Sequence, residues 1–155
     1  MLNYHLFEGI LLMLVTVFIH GTGTIIFLWI MDAYRPIWEK RGGIIVNTLS
    51  LTWVVGTLVF LHILEIAVYA LFYCWVGIMP NFETAGYFSI TTYTTVGYGD
   101  VVLPKEWRTF GASEALIGIL MTAWSTGLLI TVVNAVHTKT IERWRAKRQE
   151  NSPEA

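Results

Sequence analysis

The chain has 155 residues, 55% of them hydrophobic and 14% charged, where an ordinary soluble domain carries about 25% charged residues. Ten Lys and Arg against eleven Asp and Glu leave a net charge of -1, so no basic excess points to a nucleic-acid partner. A single cysteine, Cys74, excludes an internal disulfide framework, and the length leaves room for one small domain without an added folded cytoplasmic module. These figures describe a compact integral membrane protein.

Three apolar stretches reach the roughly 20 residues that a bilayer crossing needs. The first runs from Leu6 to Met31, interrupted by Glu8, His20 and the Gly-Thr-Gly at 21–23. Residues 1–8 hold no Lys or Arg and the run exceeds a signal-peptide core, so it reads as a mature helix. The second runs from Ile44 to about Met79. A helix of that length would be ~54 Å long against a ~30 Å hydrocarbon core. Its start is therefore expected along the inner interface, with the crossing between Trp53 and Trp75. The third runs from Ala112 to about His137, and the intervening Pro80–Gly111 is too polar to span alone.

Arg35, Lys40 and Arg41 follow the first stretch, and Lys139, Arg143, Arg145, Lys147 and Arg148 follow the third. The positive-inside bias places both groups in the cytoplasm and the N-terminus outside a plasma or inner membrane. Three crossings satisfy this arrangement. The expected organisation is an N-terminal helix and loop over 1–43, a pore domain over 44–137 and a basic cytoplasmic tail over 138–155.

The segment NFETAGYFSITTYTTVGYGD at 81–100 is the most specific in the chain. Asn81 is placed to cap a short helix from Phe82 to about Thr94, with Glu83 in its first turn. Thr95-Val96-Gly97-Tyr98-Gly99 follows. Non-helical backbone at membrane depth is tolerated only inside protein or along a water-filled path. Glycines at alternate positions let successive carbonyls point the same way. Repeated around an axis, such carbonyls form oxygen rings that replace the hydration shell of a monovalent cation.

The string Thr95 to Asp100 resembles the filter signature of the potassium channel family, and the resemblance extends over about residues 54–137. It implies an all-α membrane fold of three transmembrane helices with a re-entrant pore helix and filter, assembled as a fourfold homotetramer. It assigns potassium coordination to the carbonyls of Thr95, Val96, Gly97 and Tyr98 and the hydroxyl of Thr95. Gly99 would complete the outer mouth, and Asp100 would hold the filter from behind. Apart from the resemblance, Thr91, Thr94, His62 and Glu65 are candidates for further filter support from their places in this chain. The implied activity is passive potassium conduction without a cofactor. A weakly selective cation channel or a non-conducting accessory subunit is the alternative. No nucleophile, base and orienting group stand at a spacing an enzyme could use.

The chain departs from the family pattern at three places. Thr91 stands where many members have an acidic residue, Tyr87 and Phe88 stand where a Trp pair is frequent, and Val102 stands where an aromatic strengthens external tetraethylammonium block. In the third stretch, ALIGILMTAWSTGLL at 115–129 resembles the inner helix of inward rectifiers. Its Gly118 and Gly127 suggest a bend or close packing. Steps of three or four from Gly118 predict a pore-facing stripe of Thr122, Thr126, Leu129, Val133 and His137. Leu129 and Val133 are candidates for an apolar gate, and His137 for a response to internal pH. Thr122 replaces the acidic residue of strong rectifiers, which predicts weak polyamine block. The basic tail is a candidate contact for anionic lipid.

His62 and Glu65 share one face of the second stretch. They are expected to bond each other or pore-helix hydroxyls such as Thr91, because ionisable side chains facing lipid cost a few kcal/mol. Their spacing is also half of a metal site, with no third ligand at helical spacing. His20 and Glu8 show no evident partner in the sequence. The first helix is extra to a minimal pore unit and is expected to wrap the outside of the assembly, with Gly21 and Gly23 permitting close contact.

Overall fold

A computed structural model describes the backbone of residues 2–41 and 43–150 and the side chains of 7–34, 36 and 43–149. The side chains of Arg35, Trp38, Lys40 and Arg41, and tail residues 151–155, lie outside the described residues. The described residues are all-helical in their regular structure, with α1 at Leu2–Arg41, α2 at Ile44–Trp75, α3 at Phe82–Tyr93 and α4 at Arg108–Glu150. A single 3-10 turn at Lys105–Trp107 precedes α4. Among the described residues, three helical stretches are long and apolar enough to cross a membrane, Phe7–Tyr34, Ile44–Trp75 and Lys105–Gln149.

The helices run further than the apolar stretches suggest. α1 continues past Met31 to Arg41 with Pro36 inside it, where the sequence points to a loop. α2 is one unbroken helix from Ile44. α4 carries the basic tail as helix beyond His137. Hydropathy marks where a helix meets lipid, whereas a helix ends where a residue stops its propagation. No Gly or Pro lies between Leu128 and Glu150, or between Ile44 and Val55.

α2 does stop at Trp75, short of Met79. The Ile78 N–H donates to the Tyr73 carbonyl at 3.0 Å and the Gly77 N–H to that of Cys74 at 3.1 Å. These two bonds close a helix C-terminus through a left-handed residue, here Gly77 at φ 76°. The chain then turns back into α3, whose first turn is capped by the Asn81 side chain accepting from the Thr84 N–H at 2.9 Å.

α3 lies between α2 and α4 and buries Ala85, Phe88, Ser89, Thr91 and Tyr93 against them. An aromatic cluster holds it there. Phe72 of α2 stacks on Phe110 of α4 at 4.9 Å, and Tyr73 meets the edge of Phe88 at 5.3 Å. α1 packs against both α2 and α4, burying Thr16, His20, Thr24 and Phe27. Gly23 admits Leu61 so closely that an added Cβ would lie 2.3 Å from a Leu61 methyl, while Gly21 makes only ordinary contact with Trp124.

The two inner-helix glycines differ. A Cβ on Gly118 would stand 2.1 Å from the Tyr93 carbonyl oxygen, so this glycine permits a close approach of α4 to the end of α3. A Cβ on Gly127 would meet nothing within 4 Å in the chain. Gly118→Ala is expected to destabilise the purified protein by about 1–3 kcal/mol, the cost of overpacking. Gly127→Ala should leave stability unchanged or raise it by up to about 1 kcal/mol through helix propensity. Thermal unfolding in detergent measures both, and equal effects would contradict the close approach.

Candidate functional site

The segment after α3 leaves the helix by an alternation of backbone hand. Thr95 has φ 61°, Gly97 φ 50° and Gly99 φ 79°, while Val96 and Tyr98 keep negative φ. Glycine adopts positive φ freely. Thr95 does so at a cost of about 1–2 kcal/mol, and its N–H donates to the Thr92 carbonyl at 2.9 Å. The Gly97 N–H donates to the Thr91 carbonyl at 3.0 Å, which folds the segment back onto the end of α3. Thr91 therefore meets this segment through its backbone, since its hydroxyl donates to the Phe88 carbonyl at 3.0 Å. The Thr94 hydroxyl likewise donates locally, to the Ile90 carbonyl at 2.7 Å.

At the far end of the segment, the Tyr87 hydroxyl donates to an Asp100 carboxylate oxygen at 2.7 Å. Tyr87 thus supplies a hydrogen-bond donor from α3 to the far end of the segment. This hydrogen bond holds the Asp100 carboxyl below its ordinary value of 3.8, and the same bond raises the Tyr87 hydroxyl above its usual range.

Two carboxylates stand behind α3, both with no exposed surface. Glu114 of α4 accepts from the Tyr73 hydroxyl at 2.5 Å and contacts the Ser89 hydroxyl, which also reaches the Ile66 carbonyl oxygen at 3.1 Å. Glu65 of α2 contacts the Tyr93 hydroxyl and, at 2.7 Å, Nδ1 of His20. His62 Nδ1 lies 2.9 Å from the Tyr93 hydroxyl but 3.7 Å from Glu65, too far for a hydrogen bond. Ser125 Oγ joins the two imidazoles, 3.2 Å from His20 Nε2 and 3.0 Å from His62 Nε2.

Of the two kinds of partner expected for His62 and Glu65, each other or a pore-helix hydroxyl, the structure shows the second: the hydroxyl is that of Tyr93, whose long side chain crosses to α2 from the end of α3, and not that of Thr91. His62 and Glu65 meet through Tyr93 and not directly. One expectation is corrected. His20 has partners in Glu65 and Ser125, brought to it by packing of α1 that no local spacing reveals, and Glu8 is engaged as well. Donor atoms of His20, His62 and Glu65 lie within 4.8 Å of one another, so the third donor absent at helical spacing comes from α1. Each of the three already takes part in hydrogen bonds. One signal in the sequence pointed this way, since a histidine in an apolar span needs a polar partner.

The predicted inner-helix stripe divides. Thr122, Thr126, Gly127, Val133 and His137 are exposed on α4, whereas Gly118 is buried against Tyr93. Leu129 is half-buried and packs with Phe27, Val54 and Leu58, so it does not share a free face with Val133. Helical periodicity explains this, because positions 118 and 129 are separated by close to three full turns and share the inward face.

A family model described as an ion channel matches residues 48–135, more than half of the chain, and the chain belongs to that family. The match takes in most of α2, all of α3 and the segment after it, and α4 as far as Ala135, leaving α1 outside. No curated protein and no solved structure matches the chain.

The Tyr87–Asp100 pair carries a pH prediction. A folded-state carboxyl value below 3.8 means that the interaction is present above that value and is lost only as pH falls through the lower one. Tyr87→Phe should move the Asp100 titration upward toward its ordinary value. Carboxyl-resolved NMR of the detergent-solubilised protein measures this, and an unchanged Asp100 titration would show that Tyr87 does not hold it.

Proposed function

We propose that this ion channel is potassium-selective, and that residues 95–99 form its filter in a homotetramer. The observation that carries the reading is the alternation of positive φ at Thr95, Gly97 and Gly99. Alternating hand turns successive carbonyls toward one side. Four such segments around an axis would give stacked rings of oxygen from Thr95, Val96, Gly97 and Tyr98, with the Thr95 hydroxyl beneath them, in place of water around a potassium ion.

Val96 and Tyr98 are 51% and 72% exposed in the single chain, which suits a segment completed by neighbouring copies. The exposed hydroxyls of Thr122 and Thr126 would line a wet cavity below the filter, and Val133 with His137 would stand nearer its inner end. The charge bias of the sequence orients the N-terminus outward and the C-terminus into the cytoplasm of a cell membrane. A cavity of about 330 Å³ between α1, α2 and α4, lined in part by Asp32, Asn47, Lys139 and Arg143, is where anionic lipid would meet the basic tail, its two cations outnumbering the one carboxylate.

Reconstituted in liposomes under opposed potassium and sodium gradients, the chain should reverse near the potassium equilibrium potential, and barium should remove the current. A reversal midway between the two ions would overturn potassium selectivity. Silence together with a monomer on a sizing column would favour an accessory subunit. External tetraethylammonium should block weakly, because Val102, 60% exposed just beyond the filter, offers no aromatic face. Val102→Tyr should strengthen the block by about tenfold, a cation–π gain of roughly 1.4 kcal/mol.

A further inference from the structure

The contacts around Glu65 form a closed loop that touches all four helices. Glu65 meets His20 at 2.7 Å, His20 meets Ser125 at 3.2 Å, Ser125 meets His62 at 3.0 Å, His62 meets the Tyr93 hydroxyl at 2.9 Å, and Tyr93 returns to Glu65. Every one of these contacts joins two atoms that repel unless a hydrogen lies between them. The loop has five contacts and so needs five hydrogens.

With Glu65 ionised and both imidazoles neutral, Tyr93, Ser125, His20 and His62 bring one hydrogen each, four in all. The shortfall does not depend on which ring nitrogen carries the proton. A fifth hydrogen closes the loop, held either as a Glu65 carboxylic acid or as an imidazolium beside the carboxylate. In both cases the cluster has no net charge.

The surroundings favour that count. Glu65 and His20 have no exposed surface, Ser125 and Tyr93 are buried, and His62, the most exposed member, is 19% exposed at its side chain. The further titratable groups facing the loop are Tyr69 from the same helix as Glu65 and Glu114 from α4. Trp124 packs on His20 at 5.5 Å but does not titrate. None of these would compensate a net negative charge in a low-dielectric site. The Ser89 hydroxyl presents the same arithmetic on a smaller scale, since its single hydrogen faces both the Ile66 carbonyl and Glu114.

We propose that His20, His62, Glu65, Tyr93 and Ser125 form a proton-binding site that holds one proton more than the ionised carboxylate and neutral side chains supply, and that its occupancy governs how firmly the filter segment is held. The second part rests on the reading of residues 95–99 as a filter. Tyr93 carries the coupling. Its hydroxyl is in the loop, its carbonyl lies against Gly118, and it is two residues before Thr95. His62 is the exchange point with the outside. When the proton leaves, one contact keeps no hydrogen, the loop opens, and the end of α3 loses a tie to α1 and α4.

The test combines spectroscopy with conduction. Infrared and histidine ¹⁵N NMR spectra of the purified chain at neutral pH should show either a protonated Glu65 carboxyl, identified by its loss in Glu65→Gln, or one imidazolium at His20 or His62. That signal should disappear in one step per chain as pH rises. Ser125→Ala leaves three contacts and three hydrogens, so the extra proton should be absent or its midpoint moved by at least about one pH unit, a tenfold change in proton affinity.

In liposomes, the potassium-over-sodium reversal potential of the unaltered chain should change across the same pH step, and that change should be lost in Ser125→Ala. An ionised Glu65 with two neutral imidazoles at neutral pH would overturn the site. So would a stoichiometric Zn²⁺ ion found on these residues in the protein as purified. A proton step without any change in reversal potential would overturn the coupling alone. Absence of potassium selectivity at every pH would overturn the filter reading and leave the spectra to decide the proton site.

Discussion

Two buried carboxylates hold the short helix α3, and the packing of α2, α3 and α4 depends on them. Glu65 and Glu114 have no exposed surface, and each reaches α3 through a hydroxyl, Tyr93 at its end and Ser89 at its middle. Carboxyl groups in an apolar span cost several kcal/mol unless they are fully hydrogen-bonded. That cost restricts the packing, because α2, α3 and α4 must sit where the partners coincide. The aromatic cluster of Phe72, Tyr73, Phe88 and Phe110 fills the space around these bonds and excludes water from them.

The close contact at Gly118 acts on the same point. The Tyr93 carbonyl rests where a side chain on α4 would otherwise be, and its hydroxyl is held from the opposite direction by α2. A residue clamped at backbone and side chain transmits little slack to its neighbours. Thr95, in an uncommon left-handed conformation, follows immediately after the helix cap. The strain at Thr95 persists because the surrounding structure over-determines it. At the other end of the segment, Tyr87 restrains Asp100 in a comparable way from the solvent-accessible face of α3.

α1 is more than a peripheral addition in this arrangement. It lies outside the matched family region, yet His20 is fully buried and bonded to residues of α2 and α4. An apolar helix can pack on another in lipid without any polar contact, so the presence of a buried histidine sets one position along the groove apart from the rest. Gly23 against Leu61 brings the backbones close enough for that position to be reached.

Much of this was legible in the sequence. The spans, the Asn81 cap and the special backbone after Thr94 follow from local rules, because apolar length, capping chemistry and alternate glycines act over a few residues. The demand that His62 and Glu65 find partners was equally plain, since burial of an ionisable group imposes it wherever the group sits. The identity of those partners was not. His20, Tyr93 and Ser125 come from three other helices, and their meeting depends on how the helices rotate and slide against one another. The same rotation buried Gly118, half-buried Leu129 and left Val133 outside, a division that a repeat of three or four cannot resolve when its phase is unknown. The sequence by itself determined which groups must be satisfied inside the membrane, while the tertiary structure decided which group satisfies which, because hydrogen bonds act over about 3 Å and only helix packing brings distant residues that near.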